Sequence, residues 1–111
     1  MAKLEQNLNG DFDEIIRMIE KGILNGSMSA SLEDSSDFRS ATARCSVRVF
    51  ERYSYSGSNR VSMNVTLFQD GDGLIQLSAI TAVGSQATFF KINTLGEEAF
   101  LDKLKKLLQK K

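Results

Sequence analysis

The chain has 111 residues, of which 41% are hydrophobic and 25% charged, with 14 acidic side chains against 14 basic ones. That length supports one domain that buries about 65% of its unfolded surface, and the balance excludes a disordered chain, a collagen and a generic polyanion binder. Histidine, proline and tryptophan are absent and cysteine occurs once, which excludes imidazole-based triads, an intrachain disulfide and a Cys/His zinc cage.

In chain order, Ala2, Leu4, Gln6 and Leu8 alternate with polar neighbours and predict a short strand. Asp11-Phe12-Asp13-Glu14 is a capping box. Phe12, Ile15, Ile16, Ile19 and Ile23 then recur at helical spacing, which predicts a helix over 11–25. Asn25-Gly26 supplies its stop, through the left-handed conformation that glycine tolerates. Gly22 inside the helix costs up to about 1 kcal/mol and marks close packing on a sheet.

From Ser27 the period becomes two. Met28, Ala30 and Leu32 share one face, and Glu33–Asp37 reads as a turn. A long strand is predicted over 41–54, with Ala41, Ala43, Cys45, Val47 and Val49 inward and Thr42, Arg44, Ser46, Arg48, Phe50 and Arg52 outward. Residues 54–59 are rich in Ser, Gly and Asn and form a loop. Val61, Met63, Val65 and Leu67 make the next inner set. Asp70-Gly71-Asp72-Gly73 is a hairpin turn, and it lacks both the ligand spacing of a calcium loop and the Lys-Ser/Thr of a phosphate loop. A strand over 74–83 follows, with Ile75, Leu77 and Ala79 inward. The segment 87–92 fits a strand extension or an ordered connection. Thr94-Leu95-Gly96-Glu97 is a second capping box that opens a helix over 95–110, whose stripe is Phe100, Leu104, Leu107 and Leu108.

The order β-α-β-β-β-β-α predicts a single two-layer α+β domain over 1–111: a curved antiparallel sheet with both helices on one apolar face. This order is similar to that of the fold named for the TATA-box-binding protein. Four stretches further resemble a small bacterial family of unknown function: Gly22-Ile23-Leu24-Asn25-Gly26-Ser27, Glu51-Arg52-Tyr53-Ser54, Asn59-Arg60-Val61-Ser62 and Gly84-Ser85-Gln86 through Phe89-Phe90-Lys91-Ile92-Asn93-Thr94. The resemblance covers nearly the whole chain. It implies a bacterial, cytoplasmic setting and brings no activity with it. A lone thiol and an N-terminus without an apolar core segment agree with a cytosolic protein. No run approaches the length of a membrane span.

Candidate site residues fall into two groups. Glu51 continues the predicted inner register of Cys45, Val47 and Val49, and a carboxylate there needs a partner. Arg60 across the loop can supply one in a partly buried pair. Alternatively, the register breaks before Glu51, or Glu51, Arg52, Arg60, Ser85 and Gln86 form an opening that binds a small polar or anionic ligand between the sheet and the last helix. Arg44, Arg48 and Arg52 share the predicted outer face at about 13 Å spacing. That face is a solvated surface, or it meets a partner, either a second copy of this chain or an acidic protein. It lacks the interleaved aromatics of a single-strand nucleic-acid binder apart from Phe50 and Phe68. No base stands beside Ser85 in the sequence, so no nucleophilic enzyme is expected, and neither is a cofactor or metal. The function expected is a non-enzymatic interaction or assembly module, or else a small-ligand-binding module.

Overall fold

The computed structural model describes residues 1–53, 59–83 and 90–110. The elements are β1 (Ala2–Leu8), α1 (Phe12–Asn25), β2 (Ser31–Arg39), β3 (Ala43–Tyr53), β4 (Arg60–Asp70), β5 (Ile75–Val83) and α2 (Phe90–Gln109). All strand pairs are antiparallel, in the order β1-β5-β4-β3-β2. Both helices lie on one face, as the two-layer pattern predicts.

Asp11 caps α1, accepting a hydrogen bond from the Glu14 N–H at 2.9 Å, and the acids Asp13 and Glu14 sit at the positive end of the helix dipole. Phe12, Ile15, Ile16, Ile19 and Ile23 are all buried, as the helical spacing predicts. They meet Val61, Met63, Val65 and Leu67 of β4, Ile75, Leu77 and Ala79 of β5, and Phe100, Leu101, Leu104 and Leu108 of α2 in a single core. Gly26 ends α1 at a right-handed φ of −83°, and its N–H donates to the Ile23 carbonyl at 3.2 Å, so the left-handed stop is not used. A Cβ on Gly22 would run into the Leu107 side chain. Its close packing is therefore against α2, not the sheet. The turn at Asp70–Gly73 forms as predicted, with Gly71 at φ +60°, a region that favours glycine.

Three further expectations are corrected. First, Glu33–Asp37 is not a turn but the body of β2, an edge strand with a register shift between Leu32 and Asp34. Its polarity reflects its position, because β2 is almost wholly exposed and charge with a bulge protects an open edge. The turns lie on either side. Ala30 N–H donates to Ser27 O at 3.3 Å, and the Ser40 side chain accepts from the Ala43 N–H at 3.0 Å.

Second, the two faces of β3 are interchanged. Phe50 is fully buried opposite Met63, and Ser46, Arg48 and Arg52 share its side, opposite Leu67, Val65 and Val61. Cys45, Val47 and Val49 are only half-buried and face away from the helices. One phenylalanine buries far more area than a valine, and strict alternation carries its even-numbered neighbours with it.

Third, α2 starts at Phe90, so Thr94 opens no helix. Glu97 is instead buried, with its carboxylate 3.1 Å from the N-terminal amine of Met1 and its backbone carbonyl 3.2 Å from the Thr81 hydroxyl.

Candidate functional site

The interchange of faces moves the arginines. Arg44, Arg48 and Arg52 do share one side of β3, but it is the helix-covered side, so they do not form an exposed interaction face. Arg48 is 9% exposed and Arg52 4%. Charged side chains reach such depth only with partners for the head and apolar cover for the stem. Arg48 Nε donates to Glu20 at 2.8 Å, and its Nη1 donates to Asp37 at 3.1 Å and to the Val47 carbonyl at 3.0 Å. Arg44 makes two hydrogen bonds to Asp13, at 2.5 and 3.4 Å, and its guanidinium lies 4.1 Å from the Phe12 ring centroid. The Arg52 guanidinium lies 4.8 Å from the ring centroid of Phe100.

Geometry explains the ladder. Asp13 and Glu20 are two helical turns apart, about 10 Å along one face of α1. Arg44 and Arg48 are four residues apart, about 13 Å along one side of β3. Two rungs therefore tie α1 to β3, beside the apolar contact of Phe12 with Arg44. A cavity of about 260 Å³ lies beside these rungs, lined among others by Asp13, Asp37, Arg39, Arg44, Ser46 and Arg48. Arg39 and Arg44 are direct cross-strand neighbours. The Arg44 hydrogen bond is the chief cause holding the Asp13 carboxyl below its ordinary pKa. Hydrogen bonds from Ser46 first, and then Arg48, do the same for Asp37. Burial works to lower the Arg48 pKa, but the bonds to Glu20 and Asp37 outweigh it and hold it raised.

Glu51 and Arg60 are brought together as a pair, with Arg60 Nε 2.7 Å from Glu51 Oε1. Their side chains are 31% and 45% exposed, so the site is more open than the expected pair. Arg60 also lies 3.4 Å from Glu33 Oε2 and 5.3 Å from the Tyr53 ring centroid, and the Ser31 hydroxyl bonds Glu33. Burial tends to lower the Arg60 pKa, while attraction to Glu51 and the bonds to Glu51 and Tyr53 raise it on balance. Arg52 belongs to the opposite face of β3, so it does not join Glu51 and Arg60 in one opening. Ser85 and Gln86 lie outside the described residues.

Among the described residues, the other side of the sheet carries no helix. Its register forms rows across the strands. One row is Phe38, Cys45, Phe68, Gln76 and Asn7; another is Asp34, Val49, Asn64, Ile80 and Lys3. Phe38 is 65% exposed, and Phe68 and Ile80 are each 40% exposed. Shallow cavities flank Phe68 on both sides, about 260 Å³ over Cys45 towards Phe38 and about 320 Å³ over Gln76 and Ser78 towards Glu5. The sequence pattern places Phe68 on an exposed sheet face but puts Arg44, Arg48 and Arg52 there in place of Cys45, Val47 and Val49. Phe50 and the Asp13/Glu20 spacing on α1 were the signals that could have reversed the assignment.

Fold and site together define a two-layer α+β domain with one sheet face covered by two helices and the other open. A family model described as a family of unknown function, DUF6054, matches residues 1–111, and the chain belongs to that family. No curated protein and no solved structure is significantly similar to it. Among the described residues, no group of three or more Cys, Asp or Glu side chains is placed to hold a metal ion, and no helix is long and apolar enough to cross a membrane.

Proposed function

We propose that this protein is a non-enzymatic interaction or assembly module whose working surface is the uncovered face of its sheet. The observation that carries the reading is the exposure of Phe38 and Phe68, in one row on either side of Cys45, with Ile80 exposed on the same face of a sheet whose other side is used by the core. Phe38, Cys45 and Phe68 make an apolar strip across three strands, and an exposed apolar strip marks a docking site more often than single scattered residues do. The arginine ladder has a structural use, tying α1 to β3, and its guanidinium groups are engaged by the chain's own acids. A bacterial cytoplasmic setting is supported by the lone thiol and by the sequence resemblance. The likeness to the TATA-box-binding-protein fold rests on element order and carries no DNA binding.

A second reading, a small-ligand module, is favoured by the cavity beside Arg39, Arg44 and Arg48. A photoreactive benzoylphenylalanine in place of Phe68, expressed in cells of the protein's own host, distinguishes the two. A protein adduct at position 68, absent when the probe replaces Leu74 in the hairpin, is the expected result. Equal or no protein adducts from both positions would overturn the interaction reading. Native mass spectrometry would then test the cavity, a small-molecule adduct lost in Arg39→Ala supporting the ligand module.

A further inference from the structure

We propose that the occupant of the uncovered face is a second copy of this chain, packed sheet to sheet about a two-fold axis that runs along β4. The proposal rests on the reading that this face is the working surface, and it goes further by naming the partner and the pairing. The row across the middle of the sheet reads Asp34, Val49, Asn64, Ile80, Lys3, with Asn64 on the central strand. A two-fold axis along β4 lays one copy of this row over another in reverse order. Reversal sets Lys3 against Asp34, Val49 against Ile80, and Asn64 against itself. Each of these contacts is complementary: opposite charge, apolar on apolar, and an amide that both donates and accepts. Each off-axis contact occurs twice, as an isologous interface requires. The same axis stacks Phe68 on Phe68 in the row nearer the hairpin turn.

Charge supports this assignment. Lys3 and Asp34 are exposed at opposite edges of the face, and the loose 3.7 Å pair between Lys3 and Glu5 on one strand is exposed enough to exchange partners. Size supports it too. Five strands at ~4.8 Å and nine residues at ~3.3 Å give a face of about 700 Å² in projection, close to the ~800 Å² per partner of a stable interface. Edge-to-edge pairing through β2 is disfavoured by its register shift and by Glu33, Asp34 and Asp37. A two-fold axis along β4 keeps the two central strands parallel, within the range of aligned sheet packings.

Sedimentation velocity of the full chain over micromolar to submillimolar concentrations tests the proposal. A reversible dimer is expected. Lys3→Glu and Asp34→Lys should each weaken it by roughly tenfold or more, equivalent to at least about 1.4 kcal/mol, and the double variant should recover most of the loss. Val49→Lys should give a monomer with an unchanged circular dichroism spectrum. A chain that stays monomeric throughout, a double variant no better than either single one, or a dimer unaffected by folded Val49→Lys would each overturn the proposal. A monomeric chain that still gives protein adducts at position 68 removes the second copy as the partner and leaves the interaction reading standing.

Discussion

Arg48→Ala removes the guanidinium that joins α1 to the sheet. The Arg48 side chain is 11% exposed and its Glu20 partner 28%, at a separation of 2.8 Å. Two charges with centres about 4 Å apart attract by about 4 kcal/mol at an effective dielectric near 20, before desolvation is subtracted. Exposed pairs retain under ~1 kcal/mol of this, whereas truncating one member of a buried pair costs about 3–5 kcal/mol. Arg48 sits near the buried limit and Glu20 between the two. Arg48→Ala is therefore expected to cost about 3 kcal/mol, of which coupling to Glu20 contributes about 2 kcal/mol and the bond to Asp37 much of the rest. For a domain of this size the melting midpoint falls by roughly 10 °C. Urea unfolding followed by circular dichroism for Arg48→Ala, Glu20→Ala and the double variant isolates the pair. A coupling below about 0.5 kcal/mol would refute the ladder as a tie between helix and sheet.

Three further outcomes follow from the packing and the charges. Gly22→Ala should destabilise by about 1 kcal/mol, because crowding against Leu107 exceeds the gain in helix propensity; in a Leu107→Ala background the sign should reverse, as thermal melts will show. The folded-state pKa values of Asp13 and Asp37 lie below the ordinary carboxyl value of 3.8. Their contribution is therefore complete above that value and lost as pH falls through the folded values. Solvent screening limits it to about 1 kcal/mol each, and Asp13→Asn with Asp37→Asn should flatten the acid limb of a stability–pH curve. Glu51→Ala should shift the urea midpoint only slightly, and the shift should shrink with added salt, since its pair with Arg60 is half-exposed.

Much of the fold was legible because its signals are periodic. The α1 stripe, the alternation along β4 and β5, and the Asp70–Gly73 turn each carry a pattern that one segment settles alone. The face of β3 did not, because both of its sides alternate plausibly: small apolar residues on one, arginines around Phe50 on the other. The choice depends on what α1 offers across the core, namely Asp13 and Glu20, and that is tertiary information. β2 was misread for the opposite reason. An exposed edge strand has no buried side to impose a hydrophobic period, so its Glu, Asp and Ser resemble a turn. Of the candidate site, the Glu51–Arg60 pair was legible from the hairpin geometry. The uncovered sheet face was legible on β4 and β5 but not on β3, whose two sides are interchanged.

The side of β3 that is open decides which surface the protein can offer a partner, and the stability of Val49→Lys, measured by denaturant unfolding at a dilution where the chain is monomeric, tests it most directly. With Val49 on the uncovered face beside Asp34 and Asn64, the lysine is solvated and the expected cost is under about 1 kcal/mol. A loss above about 3 kcal/mol, as for an unpaired charge placed in a core, would put Val49 inside and contradict the open face.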